Sequence, residues 1–386
     1  MTVTIETETD TDRKSCKSST MIPLPLNPTL ARLPVYQPGR PIEEVARELG
    51  LPAADIIKLA SNENPLGPSP AALAAMEKAL HNLHLYPDGN AFCLKRRLAE
   101  KLGIGPENII LGNGSNEVIE FIGHALIAPG TDVIASEYCF AVYPIVTALF
   151  GGNLLTVPAR DLGHDLPAML RAITPRTRVV FAADPNNPTG TRAPKEDLQR
   201  LVDGTPPEVL LALDQAYLEF LDAPLDLLPL VRSGTKPNLL LMRTFSKIYG
   251  LAGLRLGYGI GHPELIAALE KIRQPFNINA LIQAGALAAL DDAEHIARTQ
   301  QNNRAGLKLF QDAFREWGVR FIPSCANFIL FHVGDGARVF GELQKVGIIT
   351  RPMAGYRLPE WIRISIGTPA ENARCLDALR RVLELP

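Results

Sequence analysis

Short apolar runs punctuate the middle of the chain. Residues 109–111, 132–135, 179–182, 209–213, 239–242 and 256–260 are too short for buried helices and are bounded by turn-forming or polar residues, so they predict buried strands. Helix-like stretches lie between them from about Asn108 to Arg273, including one over 118–122. Strands alternating with helices predict an α/β fold with a doubly wound, largely parallel sheet. From Pro275 the pattern changes. It is helical through Trp317, strand-like over 319–322 and 328–331, helical near 336–346, strand-like over 361–366, and helical at the end. This part, with an N-terminal arm, predicts a smaller α+β domain packed on the larger one. The expected division is a disordered tail over 1–30, an arm over 31–65, a large domain over 66–274 and a small domain over 275–386.

Length and composition narrow the setting. A chain of 386 residues exceeds one ordinary core, so two domains are expected. A net charge of −2 argues against a nucleic-acid surface, and no run of eighteen apolar residues predicts a membrane span. The first twenty residues are rich in Thr, Glu, Asp, Ser and Lys and lack the apolar stretch of a secretory signal, so Met21 is an alternative start. Five scattered cysteines, Cys16, Cys93, Cys139, Cys325 and Cys375, form no Cys-x-x-Cys pair, which suits reduced thiols in a cytoplasm. His81 and His84 stand one helical turn apart without a third ligand nearby, so they read as a solvated helix end and no metal site is expected.

The chemistry concentrates where the strands stop. After the apolar 239–242 run come Thr244, Ser246, Lys247 and Arg255 among glycines. A lysine forms a Schiff base with an aldehyde, and hydroxyls with a guanidinium suit a phosphate. Alone, Lys247 reads equally as a solvated surface charge. Two other strand ends add to it: Asp214-Gln215-Ala216-Tyr217, and Asn186-Asn187-Pro188-Thr189-Gly190. In an open α/β sheet, ligands bind outside the carboxyl ends of the strands.

These three segments, with Ser61-Asn62-Glu63-Asn64-Pro65 near the start, closely resemble the fold-type I aminotransferases that use pyridoxal phosphate, most of all the histidinol-phosphate aminotransferase branch. The resemblance runs from about Leu33 to the C-terminus. It implies a mostly parallel seven-stranded sheet in the large domain and pyridoxal 5′-phosphate as cofactor. By this resemblance Lys247 carries the cofactor and then moves a proton, Asp214 faces the ring nitrogen, and Asn187 and Tyr217 meet the phenolic oxygen. Tyr138 stacks on the ring. Gly114, Ser115, Asn116, Thr244, Ser246 and Arg255 hold the phosphate, although Gly112-Asn113-Gly114-Ser115 reads equally well as an ordinary strand-to-helix turn. Tyr86 reaches the partner subunit's cofactor in a homodimer. Arg351 and Arg363 grip substrate anions, while Tyr36 and Asn62 close over the substrate.

The branch commonly carries a small residue where Arg357 stands, so this extra cation either favours dianionic substrates or points to solvent. Glu137 and Cys139 also replace a more usual Thr and Gly beside Tyr138. The resemblance implies transfer of an amino group from L-histidinol phosphate to 2-oxoglutarate. The rival readings are an aromatic amino acid aminotransferase of the same branch, a pyridoxal-phosphate decarboxylase, and a non-enzymatic sensor of the cofactor. The last needs a DNA-binding domain for which the short acidic tail has neither length nor basic face.

Overall fold

The computed structural model describes residues 24, 27–33 and 39–385. Its centre is a seven-stranded sheet built from β1 (Ile109–Gly112), β2 (Asp132–Ser136), β3 (Asn153–Val157), β4 (Thr177–Ala183), β5 (Leu210–Asp214), β6 (Leu239–Thr244) and β7 (Gly257–Gly261). The order across the sheet is β1-β7-β6-β5-β4-β2-β3. All neighbours are parallel except β7, which runs antiparallel to both β1 and β6. Both faces are covered, which is why these strands read as continuous apolar runs. Leu211, Leu213, Leu239 and Leu241 enter one core, and Leu210, Ala212, Leu240 and Met242 enter the other. Burying each such side chain stabilises the fold by about 1.5–3 kcal/mol relative to leaving it in water.

Six of the seven strands match apolar runs in the sequence. The exception is β3, an edge strand whose Asn153, Leu154, Leu155 and Thr156 are exposed or half-buried, so burial imposes no strong pattern on it.

A second, four-stranded antiparallel sheet has the order Arg351–Pro352, Trp361–Ser365, Phe328–His332, Phe321–Ile322. Its core is made by Ile329, Phe331, Ile362 and Ile364 against Phe310 and Phe314 of the helix Ala293–Glu316 and Cys375 and Leu379 of the helix Pro369–Val382. The N-terminal arm joins this part: Ile57–Lys58 pairs in parallel with Ile348–Ile349. The helix Ala280–Asp291, assigned from its sequence position to the smaller domain, packs instead into the larger core through Ile282, Ala286 and Leu290, beside Ala72 of the helix Pro70–Ala79. Its residues are mostly Ala and Leu, and such a helix carries no sign of which core it will join. No helix among the described residues is long and apolar enough to cross a membrane.

Candidate active site

Parallel pairing sets the carboxyl ends of β2, β4, β5 and β6 along one edge of the sheet, with Ala183 opposite Asp214 and Asp214 opposite Met242. A cavity of about 370 Å³ opens there, closed on its other side by the four-stranded sheet and the arm.

One end of this cavity is a cradle of backbone. The helix Ser115–Leu126 begins at Gly114, whose φ of 78° no β-carbon-bearing residue adopts readily, and no side chain caps its first turn. Those amides and the helix dipole favour an anion. Glu117, in the same turn, is turned aside: its carboxylate accepts from the Asn113 amide and from Asn277. A β-carbon on Gly257 would stand 2.2 Å from the Ser115 nitrogen, and one on Gly114 would stand 2.4 Å from the Arg255 guanidinium. Ser115, Asn116, Thr244, Ser246 and Arg255 all line this end. Thr244 differs from Ser246 in how its hydroxyl is used. It donates to the Leu256 carbonyl and accepts from the Ser246 amide, so it braces the loop that carries Ser246 and Lys247.

Asp214 ends β5 and is 6 % exposed. One carboxylate oxygen accepts from the Ala216 amide at 3.0 Å and the other from the Tyr143 hydroxyl at 2.8 Å. Burial pushes its pKa up, while Tyr143, the Ala216 amide and Lys247 oppose that shift. Tyr217, also buried, accepts a hydrogen bond at its hydroxyl from the Asn62 amide at 2.9 Å, and burial pushes its own pKa up to about 12. Asn62 is a hub. It holds a φ of 55°, its amide and side-chain oxygen both meet Ser365, and its carbonyl accepts from Asn327.

The aromatic wall requires a correction. Tyr138 is not on the cavity surface; its ring packs with Leu330, Met353, Leu358 and Trp361. Phe140 lines the cavity instead, set edge-on to Tyr143 at 5.7 Å. The segment between the end of β2 and the helix Val142–Leu149 is an irregular turn, so which aromatic faces inward is decided by turn geometry and not by order along the chain. Tyr143 was missed altogether. Its position on an apolar helix face reads as plain core.

Lys247 reaches into the cavity from the loop after β6, and its amine donates to the Ser61 carbonyl at 3.3 Å. Its pKa falls to about 8, first through burial, then through the Arg363 and Arg255 charges, with Glu63 and Asp214 pulling the other way. Arg255 has a φ of 60° beside the cradle and donates to the Ala252 carbonyl.

On the far side, the alternation of Trp361–Ser365 decides the matter. Ile362 and Ile364 enter the core, so Arg363 between them faces the opposite way, into the cavity. It donates to the Asn187 side-chain oxygen at 2.5 Å and to the Ala60 carbonyl at 3.0 Å. Arg351 sits directly across from Arg363 on the neighbouring strand, and cross-strand partners share a face, so both guanidiniums line the same wall. Tyr356 joins them there, another residue the sequence reading passed over. Arg357 turns the chain with a φ of 61°, is exposed, and does not line the cavity. Tyr86 is 82 % exposed, stacked on Phe276 at 4.7 Å, and does not line this cavity. Tyr36 lies outside the described residues.

The arrangement fits pyridoxal phosphate. It offers a cradle that a single added methyl would fill, a buried carboxylate for a ring nitrogen, an amine of lowered pKa for an aldehyde, and Asn187 with Tyr217 for the phenolic oxygen. Among the described residues no cluster of three His, Cys, Asp or Glu is placed to hold a metal ion.

Comparison with known proteins gives the same direction. The family model "Aminotransferase class I and II" matches residues 54–379. A protein of Akkermansia muciniphila named histidinol-phosphate aminotransferase is 51 % identical over 358 residues, covering 92 % of this chain and 98 % of its own length. A Thiobacillus denitrificans protein named histidinol-phosphate aminotransferase 1 is 50 % identical over 362 residues, covering 92 % of this chain and 93 % of its own. Among solved structures, histidinol-phosphate aminotransferase from Sinorhizobium meliloti in complex with pyridoxal 5′-phosphate superposes with a TM-score of 0.84 at 30 % identity, over 93 % of this chain and 98 % of that one. Aspartate aminotransferase from Thermus thermophilus with maleate has a TM-score of 0.79 at 22 % identity over 92 % of this chain and 99 % of that one, a likeness of fold.

Proposed function

The chain belongs to the class I and II aminotransferases, and from that premise we propose that it transfers the amino group of L-histidinol phosphate to 2-oxoglutarate, giving imidazole acetol phosphate and L-glutamate in histidine biosynthesis. The observation that carries the substrate side is the pairing of Arg351 with Arg363 across adjacent strands, on the wall facing Lys247. Arg255 stands at the phosphate cradle of the cofactor, and the Arg351 and Arg363 guanidiniums suit the phosphate of one substrate and the carboxylates of the other.

When bound, pyridoxal phosphate supplies an aldehyde that takes up the amine and a ring that accepts the electron pair left by the departing α-proton. The protein does the rest. Gly114, Ser115, Asn116, Ser246 and Arg255 hold the phosphate, with Thr244 bracing them. Asp214 holds the proton on the ring nitrogen. Asn187 and Tyr217 donate to the phenolic oxygen, and Phe140 forms the ring's aromatic wall. Lys247, neutral at its Nζ above about pH 8, would take the proton from the substrate α-carbon and deliver it to the carbon on the other side of the amino nitrogen. Asn62 closes the arm side.

We place the enzyme as a homodimer in the cytoplasm. Leu80, Leu83, Leu85, Tyr86 and Phe92 are all at least half exposed, an apolar surface that a monomer leaves in water. The same surface carries Tyr86, poised to meet a partner's cofactor phosphate. The described cysteines, Cys93, Cys139, Cys325 and Cys375, are free thiols.

Steady-state kinetics with histidinol phosphate, phenylalanine and tyrosine as donors test the substrate. We expect kcat/KM for histidinol phosphate to exceed the others by about a hundredfold, the worth of a desolvated guanidinium-phosphate contact. Tyr356 on the arginine wall offers an aromatic surface that suits a phenyl ring as well as an imidazole, so a higher value for phenylalanine or tyrosine would reassign the enzyme to aromatic amino acids.

A further inference from the structure

Asp214 holds its place through a residue that has no part in the mechanism above. Tyr143 lies on the helix Val142–Leu149, is 0 % exposed, and stacks on Phe181 of β4 with ring centroids 4.6 Å apart and planes within 3°. Its hydroxyl donates to the Asp214 carboxylate oxygen that the Ala216 amide does not use, at 2.8 Å. A buried tyrosine hydroxyl needs one partner, and any carbonyl would serve. This one meets the carboxylate that faces the ring nitrogen.

We propose that Tyr143 is a positioning residue for the transamination: its hydroxyl fixes the Asp214 carboxylate toward the cavity and keeps it ionised there. The proposal rests on the cofactor reading above.

Two donors bracket Asp214. The Ala216 amide takes one oxygen and belongs to the turn that follows β5, two residues after Asp214 in the chain. Tyr143 takes the other from a different element, and only the pair defines the plane of the carboxylate. The stack on Phe181 fills the space beside the phenol ring, while the hydroxyl alone reaches Asp214. The titratable groups facing Asp214 are Tyr143 from its helix, Tyr217 from the turn and Lys247 from the loop after β6. Burial works against the charged carboxylate, so losing a donor shifts it toward the neutral acid, which cannot hold a protonated ring nitrogen.

The test is Tyr143→Phe holoenzyme, which keeps the ring and its stack and removes one oxygen. The hydrogen bond to a charged acceptor predicts a fall in kcat of about tenfold or more with KM for the amino donor within about twofold. The acid limb of the kcat profile moves to higher pH, because an Asp214 with a raised pKa is protonated sooner as pH falls. The cofactor's visible band also decays faster on dialysis, a readout independent of turnover. An unmoved acid limb with undiminished cofactor retention would overturn the proposal, even with kcat reduced, because then the hydroxyl only fills space. Phe181→Leu is the control: it loosens the stack and lowers the melting temperature while leaving the hydrogen bond. If it shifts the acid limb as far as Tyr143→Phe does, ring packing and not the hydroxyl is responsible, and the proposal fails. Wild-type protein with no borohydride-bleachable band would instead sink the cofactor reading and this inference with it, an outcome distinct from a variant that behaves like wild type.

Discussion

Lys247 shows how far a residue's chemistry depends on its surroundings. Its amine would hold a proton to pH 10.5 in water, and burial beside two arginines brings that down to about 8. Only the neutral amine attacks an aldehyde. Uptake of pyridoxal phosphate by apoenzyme, followed as growth of the visible band, should therefore rise about tenfold per pH unit up to about pH 8 and then level off. A rise that continues toward 10.5 would mean a solvated amine, and Lys247→Ala should show no band that borohydride fixes to the protein. The identity of Lys247, Asp214, Tyr217, Asn187 and Arg363 as cavity residues was legible because each sits in a short motif at a strand end or within a strand of alternating pattern. Phe140 was not. Nothing in Glu137-Tyr138-Cys139-Phe140 says which ring the turn points inward, and the neighbouring Tyr138 took its place in the reading. Tyr143 and Tyr356 were missed for a related reason: their roles come from contacts with residues far away in sequence.

At the level of elements, the site depends on how closely β7 approaches the start of the helix Ser115–Leu126. That approach is possible because Gly257 has no side chain. Gly257→Ala would drive a methyl group into the Ser115 amide and the Gly114 backbone, which cannot yield as a flexible side chain would. We expect a loss of about 1–3 kcal/mol of stability from overpacking, together with weaker retention of the cofactor, because the displaced atoms are those of the phosphate cradle. Gly341→Ala, in the helix Gly336–Lys345 with nothing near its would-be β-carbon, should instead be neutral or stabilise by up to about 1 kcal/mol. Thermal melts and a cofactor titration of both variants check the contrast; equal behaviour would mean the cradle is soft. The same scale explains what the strand pattern could show. Strands buried on both faces announce themselves as apolar runs, and β3, at an edge with mixed exposure, does not.

At the level of the whole molecule, the single chain leaves Tyr86 outside the active-site cavity and in water, along with the exposed Leu80, Leu83 and Leu85. If the proposed dimer forms through that surface, replacing Leu83 or Leu85 by Glu puts a charge into it and should give a monomer by sedimentation, with cofactor held less tightly where Tyr86 was proposed to reach it. A variant that remains dimeric with full retention would place the interface elsewhere. By itself the sequence determined the α/β architecture and, through its resemblance to a known family, the cofactor and most of the residues at the sheet's carboxyl edge, because apolar runs and strand-end motifs are local and are written in consecutive positions. Tertiary structure alone decided that Arg351 and Arg363 share a wall, that Phe140 and not Tyr138 faces the cavity, that Tyr143 holds Asp214, and that the helix Ala280–Asp291 joins the larger core. Each of these is a contact between segments distant in the chain, and such contacts are fixed by packing, which no stretch of sequence contains on its own.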